Sequence, residues 1–510
     1  LLVVIPSRIL DHGYLTYVSG AWAALADDVA HGVLYRPLVS DIGYGGTRYF
    51  PLHFVIHGAL HSLGLSLIAS GHLISLLSAA GVVIGGAVGL RRQGVPWTIA
   101  WVTGVLALAS RTAFIAIAGI RGDILPVALG VLGLALLPRS KSESMLPSTA
   151  LLALAVLAKP TLAWAPAAAV LSIAVASRFR EAVLLGVWTG IGIAIGLGVT
   201  YVWSGGEVLV SFGAFATAGG LSPHNIAALR FLRPGEVTWI LCAGLVAVPC
   251  GWRALAQPFS AAFPVCLLAT LVLYLSPGLH VNHFIDLVAI SVLRFGAGVW
   301  QLMPRRWPSR LFVLASVLGV LEAVALPGMV IRRGDFDAVL HALPQGRNPI
   351  LSETPWIPLL AGERPFVLDA YNLAIARRSS KDIYPHLVDA VDGCRFRVVV
   401  LNGTAESSEY WYGHEAFGAP FREHLLASYA FDRTVGGHAI YLPNCGKPRP
   451  APNELAVRGG EDTVLQRGGE PNRLRVLLNR ILSFKSLSGR ARGSAADTAE
   501  KPVQPDITGW

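Results

Sequence analysis

A small set of side chains in this sequence has the types and positions to do acid, base or anion chemistry: Asp11, Asp41, Arg48, Tyr49, Arg121, Lys159, Asn282 and His283. A carboxylate such as Asp11 or Asp41 can take the proton from a hydroxyl as its oxygen attacks. Arg48, Lys159 and Arg121 can hold an anion through charge-assisted hydrogen bonds. Asn282 and His283 precede an apolar run whose helix N-terminus would add backbone donors for the same anion. Tyr49, like Tyr44 and Phe50, offers a ring face for a sugar or a hydrocarbon chain. Each residue also has a plainer use. Asp11 could cap a helix end, and Asp41 in SDIGYGG could open an ordinary turn. The cations could be snorkelling anchors, Arg121 could pair with Asp123, Asn282 could be an N-cap, and the aromatic residues could mark an interfacial belt. His53, His57 and His61 recur every fourth residue and share a helix face, a spacing compatible with metal. No cysteine or acid completes that set.

The elements that must position these residues follow from composition. Apolar residues make up 53% of the 510-residue chain and charged residues only 14%, with a mean hydropathy of +0.55. That is the balance of a polytopic membrane protein, not of a soluble domain. Candidate spans lie near 52–68, 70–90, 96–118, 124–138, 146–158, 160–177, 182–203, 237–252, 258–276, 284–303 and 309–331. A span needs roughly 20 residues, so 52–68 and 70–90 could be one tilted helix with an interfacial lead-in. The runs either side of Lys159 and Pro160 read as two short helices or one broken one. With the opening run LLVVIPSRIL, read as the end of a truncated first helix, the expectation is about ten or eleven spans.

Basic residues in short loops mark the cytoplasmic side. Arg91, Arg92, Arg139, Lys141, Arg178, Arg180, Arg253, Arg305, Arg306 and Arg310 then lie inside. The segment 11–50, the turn 121–123, Lys159, 204–236, 277–283 and the C-terminal region fall outside, with Arg332 and Arg333 against the rule. The net charge of +10 partly reflects this inner fringe and calls for no nucleic-acid partner. Three regions follow: a transmembrane domain over 1–331 with outer loop 11–50, an extracytoplasmic α/β domain over 335–445, and a tail over 446–510 with the composition of a disordered segment. Within the tail, NRLRVLLNRILSFKSL could lie on lipid as a basic amphipathic helix. In the α/β domain, PILSETPWIPLLAG reads as a strand and short helix, KDIYPHLVDAVDGC as an amphipathic helix, and FRVVVLNG and HAIYLPN as strands. Cys394 and Cys445 flank the last two and could form a disulfide if those strands are neighbours.

An Asp just past the first helix is followed by Tyr14, HGVLYRP and YGGTRYFPLHF, and then, in order, by RGDILPVALGVLGLALL, LAKPTLAWAPAAAVL and SPGLHVNHFIDLVAISVL. The order of these motifs resembles that of C-type glycosyltransferases, and the first set is similar to their first outer loop. RGDILPVALGVLGLALL is similar to the Arg-x-Asp opening of a later helix, LAKPTLAWAPAAAVL to a lysine-bearing helix break, and SPGLHVNHFIDLVAISVL to a Gly-x-x-x-Asn-aromatic-Phe turn with His283 at the aromatic position. The superfamily includes protein O-mannosyltransferases, aminoarabinose transferases and bacterial enzymes that use polyprenyl-phosphate sugars. Asp11 is followed by His12 and Gly13, so the paired acids of metal-dependent members are missing.

The resemblance implies a mostly α polytopic bundle that transfers a sugar from a polyprenyl-phosphate carrier to an acceptor hydroxyl at the outer membrane face. Asp11, with Asp41 second, would be the base. Arg48, Tyr49, Arg121, Lys159, Asn282 and His283 would bind lipid phosphate or substrate. The partners would be the bilayer, the lipid donor and a glycan, lipid or protein acceptor. No cofactor is required by the sequence, and a divalent cation is left open. Ala, Gly, Arg and Val usage points to a bacterium, and hence to a multi-pass inner-membrane protein. A transporter or flippase of a lipid-linked or small polar substrate is the rival reading, with inverted repeats and polar groups at mid-membrane depth as its expected marks.

Overall fold

The computed structural model describes residues 15–219, 232, 234–275, 281–302, 336–379, 385–407 and 416–445. Asp11, the first and last apolar runs and the tail 446–510 lie outside the described residues. The protein is a mostly helical membrane bundle with a small sheet on its C-terminal side.

The first described element is α1 (Tyr17–Ala30), inside the polar segment 11–50. Thr16 caps it by accepting from the Ser19 N–H, and Ser19 Oγ accepts from the Thr16 N–H at 2.7 Å. This reciprocal cap starts a helix in a stretch the polar composition had marked only as a loop. A short hairpin, β1 (Val39–Ser40) and β2 (Gly43–Tyr44), follows. Next come α2 (Leu52–Ser62) and α3 (Leu67–Arg92), which are separate helices and not one tilted span. His57 and His61 fix the break, each donating a ring N–H at 2.7 Å to the carbonyls of Leu67 and Leu65 respectively. Among the described residues no group of three or more His, Cys, Asp or Glu side chains is placed to hold a metal ion.

Helix α3, α9 (Phe179–Trp203) and α13 (Phe284–Leu302) are long and apolar enough to cross a bilayer. The run 96–118 is not straight. It forms α4 (Trp97–Leu106) and α5 (Arg111–Ala118), bent by 76°, because Ser110 accepts from the Ala113 N–H at 3.2 Å and starts a new helix. Shorter apolar helices are α6 (Ile124–Ala135), α7 (Leu146–Ala158), α8 (Trp164–Val175) after a 3-10 turn at Pro160–Ala163, α11 (Pro234–Cys250) and α12 (Pro258–Leu273). Helix α10 (Glu207–Gly219) follows α9.

The C-terminal α/β region begins with α14 (Phe336–Ala342), β3 (Ile350–Ser352) and α15 (Trp356–Leu360). It continues with α16 (Ala370–Ser379), α17 (Pro385–Asp392), β4 (Val398–Leu401), α18 (Ala419–Ser428), β5 (Tyr429–Val435) and β6 (His438–Pro443). Its sheet runs β3-β4-β6-β5, with β3 parallel to β4 and the other pairs antiparallel. Since β4 and β6 are neighbours, Cys394 and Cys445 come within a Cα separation of 6.2 Å and form a disulfide.

This region is bonded to the polar segment 11–50. Tyr44 N–H bonds Phe366 O at 2.7 Å and Leu368 N–H bonds Tyr44 O at 3.0 Å. A Cβ on Gly43 would sit 2.0 Å from Phe366 O, so only glycine admits this approach. Trp356 Nε1 donates to Ser19 Oγ at 2.8 Å. Asp28 is buried between Arg36 and Arg364, accepting from Nη2 of each at 2.6 and 2.5 Å, while Arg36 Nη1 reaches Pro365 O at 2.6 Å. Asp28→Ala would leave two guanidinium groups without their counter-ion, and loss of one partner from a buried pair costs about 3–5 kcal/mol. A marked drop in the thermal transition of detergent-purified protein is expected. Cys445→Ser should lower it too, through a loss of about 2–4 kcal/mol in stability. Peptide mapping without reductant should recover the 394–445 cross-link.

Candidate functional site

Helix α5 ends in a strained turn. Ile120 has φ of 52°, a conformation a β-branched residue adopts only when its surroundings impose it. They do: Ile120 is fully buried, and a Cβ on Gly71 of α3 would lie 2.1 Å from its Cγ2. The turn carries Arg121, Gly122 and Asp123 to the start of α6. Asp123 stands at the N-cap position but makes no side-chain cap bond to its own helix. Its carboxylate instead gathers groups from three places. Lys159 Nζ donates to Oδ1 at 2.7 Å, Asn282 Nδ2 donates to Oδ1 at 3.1 Å, and Arg121 Nε lies 3.3 Å from Oδ2.

Each partner is aimed by local sequence. Pro160 bars Lys159 from helical geometry, and Lys159 is extended at φ −158° and ψ 117°. Helix α7 therefore stops there and the ammonium turns to Asp123. Asn282 lies in the 3-10 turn Val281–His283 that leads into α13, and His283 adds a favourable charge to Asp123 when protonated. Burial alone would raise the Asp123 pKa, but Lys159 and Arg121 outweigh it and hold the carboxyl well below the usual carboxylate range. Just beyond, Trp164 Nε1 donates to Asp286 Oδ2 at 2.8 Å, tying the start of α8 to the first turn of α13.

A second polar group lies on the loop side. Tyr35 Oη donates to Tyr49 O at 2.8 Å, and the Tyr49 ring stacks on Trp22 with centroids 4.2 Å apart. Arg48 Cζ is 5.7 Å from the centroid of Tyr371, a cation–π distance. Tyr17 Oη donates to Asp369 Oδ1 and accepts from the Tyr371 N–H at 2.8 Å. Asp369 also accepts from the Asn372 N–H and Nδ2 at 3.0 and 2.9 Å. Burial raises the Asp369 pKa, an effect these bonds and Arg48 partly offset. Burial and the neighbouring Asp369 together push Tyr17 far up, so the proton stays on the phenol. Tyr49 feels Asp369, Arg48, Arg121 and Asp123, which places it between the two groups.

The structure thus unites Arg121, Lys159, Asn282 and His283 around Asp123, with Tyr49 and Arg48 on the loop side. Asp41 is exposed in the turn between β1 and β2 and joins neither group. Asp11 lies outside the described residues. The sequence reading passed over Asp123 as more than a partner for Arg121, and missed Tyr17, Trp22, Asp369 and Tyr371. For Asp123 the signal was present, an acid at a helix start beside an arginine. The others are joined by contacts that no local pattern encodes.

No protein-family model and no curated protein matches this sequence. Among solved structures, the chain is similar to ArnT from Cupriavidus metallidurans in two states. For ArnT bound to undecaprenyl phosphate, identity is 12%, the match covers 88% of this chain and 99% of that one, and the TM-score is 0.50. For the apo state the values are 14%, 86%, 97% and 0.53. The chain therefore shares the fold of these ArnT structures.

The Asp123 cluster predicts a pH signature. A carboxyl whose folded pKa is depressed contributes stability above its unfolded value, near 3.9, and loses it as pH falls through the folded one. The stability difference between wild type and Asp123→Asn should therefore be flat from neutral pH to about 4 and shrink only below that. Its plateau should be about 3 kcal/mol, the lower end for a broken buried pair, because Lys159 and Arg121 keep some solvent contact. Thermal transitions of both proteins across pH would measure it.

Proposed function

We propose that this protein is an integral membrane glycosyltransferase that moves a sugar from a polyprenyl-phosphate carrier to an acceptor hydroxyl at the outer membrane face. The observation that carries this reading is the convergence of Lys159, Arg121 and Asn282 on Asp123, in a fold for which an ArnT structure is described as bound to undecaprenyl phosphate. Two cations against one carboxylate leave net positive charge, which suits a lipid phosphate.

The reaction needs a base and an anion clamp. The acceptor oxygen bonds to the anomeric carbon while the bond from that carbon to phosphate oxygen breaks. The acceptor proton passes to the Asp11 carboxylate, and the departing polyprenyl phosphate takes the electron pair. Lys159, Arg121 and Arg48 stabilise the charge that develops on it. Asn282, His283 and the start of α13 complete the donor set, and Tyr49 gives a face for the sugar or the prenyl chain. The Cys394–Cys445 disulfide supports an oxidising compartment for residues 336–445, and with it the outer placement of the site. A C-terminal alkaline phosphatase fusion after residue 445 should accordingly be active.

The test is transfer from radiolabelled polyprenyl-phosphate sugars by membranes with and without the protein. In single turnover at saturating donor, Asp11→Asn should lose on the order of 10²- to 10⁴-fold in rate with unchanged expression and stability, whereas Asp41→Asn should keep substantial activity. Lys159→Ala should weaken donor binding. Wild-type rates for Asp11→Asn would rule it out as the base, and protein-independent transfer would rule out the enzyme.

A further inference from the structure

The two polar groups meet at one indole. Trp22 of α1 is 4% exposed. One face stacks on Tyr49, and its edge contacts His53 of α2 at 4.9 Å. Phe54 closes another side at 6.3 Å. Opposite lies the backbone of Gly122, between the two charged residues of the turn. A Cβ built on Gly122 would lie 2.6, 2.7 and 2.8 Å from Trp22 Cζ2, Cη2 and Cε2. These atoms belong to a rigid bicyclic ring held on its other sides, so the ring cannot move aside as a flexible side chain would. Gly122 has no left-handed backbone to explain it. The glycine is there for space.

We infer that Trp22 is a positioning residue: a wedge that fixes the Arg121–Asp123 turn against Tyr49 and thereby sets the spacing between Arg48 on the loop and the Lys159–Arg121 cluster. The inference rests on the functional reading above and adds to it a residue that touches neither the phosphate nor the reacting atoms. The turn needs such a support because Ile120 holds it in an unfavourable conformation. The Asp123 side-chain bonds fix the cluster within the bundle, and none of them reaches the loop that carries Arg48. A displacement on the order of 1 Å can cost about 10²-fold in a rate that depends on preset geometry.

Size exchange tests this. Gly122→Ala adds a methyl where the six-membered part of the indole lies, and Trp22→Phe removes the outer atoms it would meet. In the full-length protein, undecaprenyl phosphate binding by native mass spectrometry and kcat/KM for transfer would be measured with thermal stability. Gly122→Ala should lower kcat/KM by roughly 10- to 100-fold and weaken undecaprenyl phosphate binding. The Gly122→Ala/Trp22→Phe double variant should recover most of both, exceeding Gly122→Ala alone. A merely destabilising contact would move the thermal transition and leave kcat/KM of the folded fraction unchanged. Wild-type behaviour of Gly122→Ala, or failure of Trp22→Phe to rescue it, overturns the wedge while leaving the functional reading intact. A wild-type protein that neither binds undecaprenyl phosphate nor transfers sugar removes that reading, and this inference with it.

Discussion

Charge among apolar helices must be paired, and here one carboxylate gathers two cations from separate elements. Asp123 ties together the turn after α5, the break between α7 and α8, and the start of α13. Each of those places interrupts a helix and so exposes backbone groups and a polar side chain where the surroundings are apolar. Left apart, Lys159 and Arg121 would have to snorkel separately to water. Gathered on one anion, they can stay close to each other, which two bare cations would resist. The clustering of interruptions at one level of the bundle is thus a consequence of electrostatics as much as of span length.

The polar segment that carries α1 is held by the same logic on its other side. Asp28 binds two arginines, one from the loop and one from the C-terminal region. A buried ion group of this kind is a weak source of net stability, because desolvation consumes much of the attraction. Its geometric demand is high, however. Only one arrangement of α1, the Arg36 segment and the Arg364 segment satisfies both guanidinium groups. Apolar packing then continues through the junction: Leu15, Ala23 and Ile120 share a core with Trp356, Val398 and Ile440. The C-terminal region is therefore a wall of the loop and contributes Tyr371 and Asp369 beside Arg48.

What the sequence disclosed follows from the range of the forces involved. Apolar runs mark most of the helices because membrane insertion is a local, residue-by-residue preference. Pro160 disclosed the break at Lys159, and strands β3, β4 and β6 were legible from their β-branched runs, as was the chance of a disulfide. The bend at Ser110 was missed because its only mark is a cap residue inside an apolar stretch. Helix α1 was missed because its burial depends on Trp356 and its neighbours, far along the chain. The hub was half visible. Lys159 and Asn282 were picked for their positions, but their meeting on Asp123 joins residues 36 and 159 positions apart. The Trp22–Gly122 contact has no sequence mark at all, since a glycine kept for space looks like any other glycine.

An arrangement of two cations sharing one carboxylate suits a leaving group whose charge changes during reaction. Under the proposed reading, the donor is a phosphodiester carrying one negative charge. The product is a monoester carrying about −1.5 to −2 at neutral pH. Cations free of any partner would already grip the donor's single charge and lower the energy of the ground state along with that of the transition state. With Asp123 in place, part of their charge is already matched, so the donor is held less tightly while the larger charge that builds on the leaving phosphate still draws them. The anion of the protein and the nascent anion of the lipid then compete for Lys159 and Arg121, and the balance tips as charge develops. That is stabilisation weighted to the transition state, the only kind that raises the rate of the chemical step. It also explains why the carboxylate must be held ionised and fixed in place: a protonated or wandering Asp123 would let the two cations hold the donor too tightly in the ground state.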